Sequence, residues 1–231
     1  MSPHLPVAEL FGPTVQGEGP SLGRRASFLR LGGCNLRCSW CDTPYTWDAS
    51  RHQLREEITP RPVADILTMV ASHGTPLTVI TGGEPLLHQH RPAWPLLLTG
   101  LTGDIEIETN GTITPTPATI MRISRFNVSP KLAHAGGPEP RRIRPQVLRA
   151  LAATGRAAFK FVATTPTDLH EVRRVCDTAG IPPHMVWIMP EGTDPAALTT
   201  SGRALAGPAI AAGFNVTTRL HTLLWANQRG H

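Results

Sequence analysis

Three of the four cysteines, Cys34, Cys38 and Cys41, fall within eight residues in the spacing C-x3-C-x2-C, and Cys176 stands apart. A disulfide framework would spread its cysteines along a shorter chain, so clustered thiols read as a metal or cluster site. A cubane 4Fe-4S cluster is normally held by four thiolates. Three closely spaced thiolates can bind three irons and leave the fourth open to a small molecule that chelates through an amino and a carboxylate group. Zinc held by cysteine plus histidine is the rival reading. Cys176 lies on an apolar helical face and reads as core packing, with a fourth-ligand role as the alternative.

A second constellation is Thr81-Gly82-Gly83-Glu84-Pro85. Its glycines let a ligand approach the backbone closely. Glu84 can accept from an ammonium group, such as that of S-adenosylmethionine (SAM). Taken alone, the segment is equally a strand-to-helix turn with Glu84 near a helix N-terminus.

The elements that must position these residues alternate between strand and helix. Strands are expected at Val7–Phe11, Ser27–Leu31, Leu77–Thr81, Asp104–Thr109, Phe126–Ser129, Phe159–Ala163, Met185–Met189 and Phe214–Leu220. Helices are expected at Pro60–His73, where Val63, Ile66, Leu67 and Val70 recur at helical spacing, at Pro166–Ala179, and at Asp194–Ala212. This alternation predicts an α/β fold with a mostly parallel sheet. About six strand–helix units are too few for a closed eightfold barrel, so a partial, open barrel forming one domain over residues 1–231 is expected. Active sites of parallel α/β folds lie at the carboxyl ends of the strands. Gly32–Cys34, Gly82–Glu84, Glu108–Asn110, Ser129–Lys131 and Met189–Glu191 all follow or end expected strands.

The cysteine spacing, Trp40 just before the third cysteine, and the Gly-Gly-Glu-Pro run resemble the radical SAM superfamily. That resemblance implies a 4Fe-4S cluster on Cys34, Cys38 and Cys41, with SAM on the open iron. The stretch Phe11-Gly-Pro-Thr-Val-Gln-Gly-Glu-Gly-Pro20, then Ala26–Cys34, then Asp42-Thr-Pro-Tyr-Thr-Trp47 resembles the 7-carboxy-7-deazaguanine synthase family. The likeness extends to Arg219-Leu-His221 and thins from Ala133 to Ala158. It implies a carbon–nitrogen lyase of the queuosine pathway. Such an enzyme converts 6-carboxy-5,6,7,8-tetrahydropterin into 7-carboxy-7-deazaguanine with loss of ammonia, regenerates SAM and requires magnesium. A glycyl-radical activase would share the cysteines and Glu84, but would not need Gln16, Arg30 and Thr43 in this context. A non-catalytic iron–sulfur or zinc protein is the alternative from another class.

The family resemblance also implies roles for single residues. Val15, Gln16 and Gly17, with Arg30 and Thr81, would contact the pterin. The Gln16 amide both donates and accepts, and Arg30 could grip a carboxylate bidentately. Their plainer readings are a turn residue and an outward-facing strand residue. Thr43 would contact magnesium, with Asp42 as a rival oxygen ligand and a turn hydroxyl as the plainer role. Trp40, Cys41, Asp42, Gly83, Glu84, Ser129, Pro130 and Lys131 would surround SAM, and Glu108 and Asn110 its ribose or methionyl part. Met189 and Pro190, in Met-Pro-Glu-Gly, stand where shorter family members carry a glutamine, and His221 is read as near the pterin or as an ordinary core or surface histidine. No side chain is expected to act as acid or base. Some short relatives bind substrate through the terminal carboxylate, a role not carried over to the polar stretch Asn227 to His231 of this sequence.

Net charge is +5, from 22 basic and 17 acidic residues. The basic residues are scattered except for Arg141, Arg142 and Arg144, which read as solvated surface rather than a nucleic-acid patch. Lys131 and Lys160 are the only lysines among many arginines, and a retained lysine suggests a need for a compact ammonium. No run of apolar residues is long enough to span a membrane and no secretory signal is evident, so a cytoplasmic protein is expected. The basic surface would suit an acidic flavodoxin or ferredoxin as reductant. A second chain could cover the open side of a partial barrel, which makes a homodimer a hypothesis.

Overall fold

The computed structural model describes residues 3–226 and 228–230. Met1, Ser2, Asn227 and His231, which fall within the expected domain and tail, lie outside the described residues. Strands β1 (His4–Val15), β2 (Arg25–Leu31), β3 (Thr59–Pro62), β4 (Leu77–Gly82), β5 (Asp104–Thr109), β6 (Arg125–Val128), β7 (Ala157–Ala163), β8 (Val186–Pro190) and β9 (Asn215–Val216) form one sheet. Its order is β3-β1-β2-β4-β5-β6-β7-β8-β9. From β2 to β9 every neighbouring pair is parallel. Strand β1 runs antiparallel to both β2 and β3. The edges β3 and β9 are not paired with each other, so the barrel is partial and open, as expected.

Helices α1 (Leu54–Glu57), α2 (Val63–His73), α3 (Ala93–Gly100), α4 (Pro117–Arg122), α5 (Glu139–Arg142), α6 (Pro145–Ala152), α7 (Asp168–Ala179), α8 (Pro195–Ala211) and α9 (Leu220–Trp225) complete the chain. Helix α2 buries Val63, Ile66 and Val70 and stops at Gly74, whose φ of 58° suits a residue without a Cβ. Helix α7 buries Leu169, Val172, Val175 and Cys176, which places Cys176 in the core rather than near the other cysteines.

Three expectations change. The segment before Val63 is strand β3, not helix, because Pro60 and Pro62 hold their preceding residues extended. The last strand shrinks to Asn215–Val216, because the chain turns inward at Arg219 and enters α9 at Leu220. Helices α1, α3, α4, α5, α6 and α9 are additions to the expected three, and at 4, 8, 6, 4, 8 and 6 residues they are too short to show a repeating period.

Side chains alternate across each strand, and the two faces of the sheet differ in chemistry. Leu29 and Leu31, Ile105 and Ile107, Phe126 and Val128, Phe159 and Phe161, and Val186 and Ile188 join the helices in the main core. Their neighbours on the other face include Arg30, Thr81, Glu106, Glu108, Asn127 and Lys160. The open barrel is therefore apolar against its helices and polar inside. A small apolar cluster, Ala26, Phe28, Leu77 and Val79 with Phe11, floors one end of the interior. There Phe11 and Phe28 stack with centroids 5.1 Å apart.

Ile107 is fully buried in the main core. Ile107→Ala should destabilise the fold by about 2–5 kcal/mol, the usual cost of such a cavity, as read from urea unfolding of the purified protein.

Candidate functional site

A single cleft runs along the carboxyl ends of β2 and β4–β8, where sequence reasoning expected a site. Cys34, Cys38 and Cys41 line it together, half-buried, on the segment that follows β2. That segment has almost no regular structure of its own and is held from outside. The Gly33 N–H donates to the Thr46 carbonyl at 2.7 Å, and the Glu84 N–H to the Gly33 carbonyl at 2.8 Å. The His88 ring meets the Gly32 carbonyl at 2.8 Å. The Asn110 amide donates to Asn35 Oδ1 at 2.9 Å. Ser39 donates its N–H and its hydroxyl to the carbonyls of Ala135 and His134, each at 3.0 Å.

The thiols fit a cluster. The Leu36 N–H donates to Cys34 Sγ at 3.4 Å and the Trp47 indole N–H to Cys41 Sγ at 3.3 Å, the contacts that stabilise sulfur as an anion. Burial pushes the Cys34 thiol up to about 11 and raises Cys38, so as bare thiols both stay protonated; a bound metal would reverse this. Among the described residues, no group of three or more His, Cys, Asp or Glu is arranged to hold a single metal ion.

The Gly82–Gly83 turn is tight for steric reasons. A Cβ on Gly83 would lie 2.2 Å from the Gly33 carbonyl oxygen and 2.8 Å from the Cys34 Cβ. Gly83 thus lets the β4 end lie directly against the cysteine loop. Glu84 is not among the residues that line the cleft. Its carboxylate is fully buried and accepts from the Leu86 N–H at 3.0 Å, the Asn110 N–H at 2.7 Å and the Thr109 hydroxyl at 2.9 Å. Burial pushes this carboxyl up to about 7, against those donors, which favour its ionised form.

On the β6 side, Ser129 and Lys131 line the cleft, while Pro130 is buried outside it. Lys131 Nζ accordingly sits 2.9 Å from the Ser129 hydroxyl and 5.1 Å from the centre of the Trp40 ring. Trp40 stacks on His134 at 5.6 Å. Its indole N–H is buried with no partner among the described residues, a donor that a ligand could satisfy. Arg142, expected on a solvated surface, is buried and donates to the Lys131 carbonyl at 2.6 Å. Asn110, Met189 and Pro190 also reach the cleft.

In the same cleft, two of the residues expected to face substrate, Gln16 and Thr81, converge on one carboxylate. The Gln16 amide donates to Glu108 Oε1 at 3.2 Å and the Thr81 hydroxyl to Glu108 Oε2 at 2.7 Å. Glu108 therefore stands with Gln16 and Thr81. Val15, Arg30, Thr43 and His221 also line the cleft, but Gly17 does not. Gly17 packs behind it, where a Cβ would lie 2.0 Å from the His221 ring. Burial lowers the His221 pKa, which favours the neutral ring. Arg30 is not free-standing: its Nε donates to Glu9 Oε2 at 2.7 Å. The Asp42 carboxylate is held by Arg219 rather than left open.

The residues that sequence reasoning missed form one buried charge cluster. Glu18 pairs with Lys160 through one oxygen and with Arg219, at 3.1 Å, through the other. Arg219 also binds Asp42 and donates to the Gly192 carbonyl at 2.8 Å. The two cations hold the Glu18 carboxyl far below its ordinary value despite its burial, and Glu18 in turn raises Lys160. The signals in the sequence were the scarcity of lysine and the place of Glu18 and Arg219 inside stretches that carry the family resemblance, neither of which links the three.

The chain matches the family model described as the radical SAM superfamily over residues 29–155. It is 38% identical to a 7-carboxy-7-deazaguanine synthase of Pyrobaculum aerophilum, over 99% of this chain and 98% of that protein. It is 37% identical to a protein of the same name from Hyperthermus butylicus, over 95% of this chain and 92% of the relative. Among solved structures it is similar to QueE from Escherichia coli. That match has a TM-score of 0.70 and 28% identity, over 94% of this chain and 95% of that one.

Two outcomes follow from the geometry. Glu18→Gln should cost about 3 kcal/mol in urea unfolding, because it leaves Lys160 buried beside a neutral group, and pairing it with Lys160→Met should recover part of the loss. Gly83→Ala should lower the iron bound after anaerobic reconstitution, measured per chain, while the far-ultraviolet circular dichroism stays that of the parent.

Proposed function

The chain belongs to the radical SAM superfamily and, within it, to the 7-carboxy-7-deazaguanine synthases, and from that premise we propose that its cleft converts 6-carboxy-5,6,7,8-tetrahydropterin into 7-carboxy-7-deazaguanine with release of ammonia. Membership brings a 4Fe-4S cluster and SAM as cofactors, with a small-molecule substrate and a reductant. The observation that carries the specific reaction is that one cleft is lined both by the three thiols and by Gln16, Thr81 and Glu108, the last accepting from the other two. When bound, the cluster and SAM supply a carbon radical that removes a hydrogen atom from the substrate.

The protein's own contribution is binding, orientation and the exclusion of water. Cys34, Cys38 and Cys41 would hold the cluster and leave room for SAM. Ser129 and Lys131 would contact SAM, with Trp40 and Gly83 beside it and Asn110 at that end of the cleft. Glu108, already accepting from Gln16 and Thr81, presents a carboxylate to the N–H edge of a pterin, and Gln16 keeps acceptor and donor atoms beside it. Arg30 faces the substrate carboxylate with its terminal nitrogens, its Nε being committed to Glu9. His221, kept neutral by burial and seated on Gly17, bounds the pterin from the C-terminal side. No side chain is needed as acid or base in the hydrogen-transfer step.

Magnesium is proposed to sit at Thr43, with the substrate carboxylate and waters completing its oxygen shell. Thr43 supports this by lining the cleft two residues beyond Cys41. Asp42 is the weaker donor, since its carboxylate is engaged by Arg219. Continuity of the sheet from His4 to Val216 supports reading residues 1–231 as one domain. An acidic flavodoxin or ferredoxin as reductant and a homodimeric assembly complete the proposal. Among the described residues no helix is long and apolar enough to cross a membrane.

Reconstituted protein, reduced and given SAM, magnesium and the carboxy-pterin, should form 7-carboxy-7-deazaguanine, detected by mass and ultraviolet absorbance. Absence of that product with intact SAM cleavage would overturn the substrate and leave the superfamily standing. Thr43→Ala should weaken the stimulation of turnover by magnesium while leaving iron content unchanged.

A further inference from the structure

Arg30 is already engaged before any substrate carboxylate arrives. Its Nε donates to Glu9 Oε2 at 2.7 Å, and the Tyr45 hydroxyl donates to the same oxygen at 2.8 Å. A second carboxylate on the same guanidinium would meet the charge of Glu9 at close range, and like charges held together disfavour each other. The tail supplies what offsets this. Arg229 Nε donates to Glu9 Oε1 at 3.1 Å, and its Nη2 to Glu57 Oε2 at 3.0 Å. Its guanidinium lies 3.6 Å from the centre of the Tyr45 ring. One carboxylate, Glu9, is thus shared between a strand arginine that lines the cleft and a tail arginine that lies behind it.

We infer that Arg229 is a positioning residue for the substrate carboxylate: by taking the second oxygen of Glu9 it offsets the charge that Glu9 places on Arg30, and leaves the terminal nitrogens of Arg30 to an anionic ligand. The inference rests on the proposed reading of Arg30. A guanidinium has five N–H donors, and the Glu9 contact uses only the one on Nε. The Nη atoms of Arg30 have no hydrogen-bond partner among the described residues. The seat for Arg229 is built rather than incidental, since a ring face and two carboxylates from three separate segments converge on it. Without Arg229, Arg30 would be the one arginine on Glu9, a poor place to bring a second carboxylate. With it, the charge of Glu9 is shared between two guanidiniums before the substrate binds.

The test uses reconstituted, reduced holoenzyme carrying Arg229→Ala, Arg229→Lys or Arg30→Ala. KM and kcat are measured with the carboxy-pterin, and inhibition with tetrahydropterin, which lacks the carboxylate. Arg229→Ala should raise KM about fivefold, as befits a half-exposed ion-pair partner, with kcat and the inhibition constant for tetrahydropterin unchanged. Arg229→Lys keeps the charge but loses the planar stacking, and should fall between the two. An unchanged KM in Arg229→Ala, with Arg30→Ala raising it, overturns this inference alone. A parallel rise in KM and in the inhibition constant would mean that the tail merely supports the fold, and would also overturn it. An unchanged KM in Arg30→Ala removes the reading of Arg30, and this inference with it.

Discussion

Glu18 is a carboxylate buried between two cations, Lys160 and Arg219, and such a charge is tolerated away from water only while both partners stay in place. The three residues come from the loop after β1, from the middle of β7 and from the segment between β9 and α9. Arg219 extends the chain of charge to Asp42, beside the third cysteine. One network therefore ties the first strand, the far side of the barrel, the end of the chain and the cysteine loop. An open sheet has no hydrogen bonds joining its edges. This network supplies the link across the interior that a closed barrel would obtain from strand pairing. It is reinforced by the Leu220 N–H donating to the Gly17 carbonyl at 2.8 Å, and by the Gly19 N–H donating to the Thr217 hydroxyl at 3.0 Å.

The same constraint explains the two faces of the sheet. Strand β5 reads Asp-Ile-Glu-Ile-Glu-Thr, and its isoleucines join the helices while Glu106 and Glu108 turn inward. A parallel sheet covered by helices is usually apolar on both sides. Here the inner face carries charge at two depths. Glu106 is closed off by Asn127 and Ser21, which donate to it, and is held near Arg125. Glu108, two residues further on, opens to the cleft and joins Gln16 to Thr81. Glu106 is satisfied within the protein. Glu108 keeps acceptor capacity for a ligand.

The chemistry of the site was largely legible in the sequence, and its support was not. Cys34, Cys38 and Cys41 announce themselves by spacing, and Gly82–Gly83 by following a β-branched run, because both signals are local. Glu18, Lys160 and Arg219 are separated by 142 and 201 positions, and no local pattern links them. Arg142 looked like part of a surface cluster, yet it is buried against the Lys131 carbonyl, because an arginine stem can fill a core while its head finds a carbonyl. Glu84 shows the opposite case. Its motif is local, but the direction of its side chain is decided by the ends of β5, where the Asn110 N–H and Thr109 hydroxyl claim it. The short helices escaped for want of length, and β3 because its prolines read as the start of α2.

The cysteine loop, the first feature the sequence gives away, is the least able to shape itself. It has no helix or strand to fix where its thiols point, so their placement comes from contacts with β4, β5 and the turn after β6. The Gly33 carbonyl is held by the end of β4, Asn35 by Asn110, and Ser39 by residues 134 and 135. Asp42, beside Cys41, pairs with Arg219, and Arg219 pairs with Glu18. The cysteine loop and the loop after β1 are joined by a short chain of charged contacts rather than by packing alone. This gives a physical reason for the cluster loop and the last segment of the chain, so distant in sequence, to meet across the same cleft.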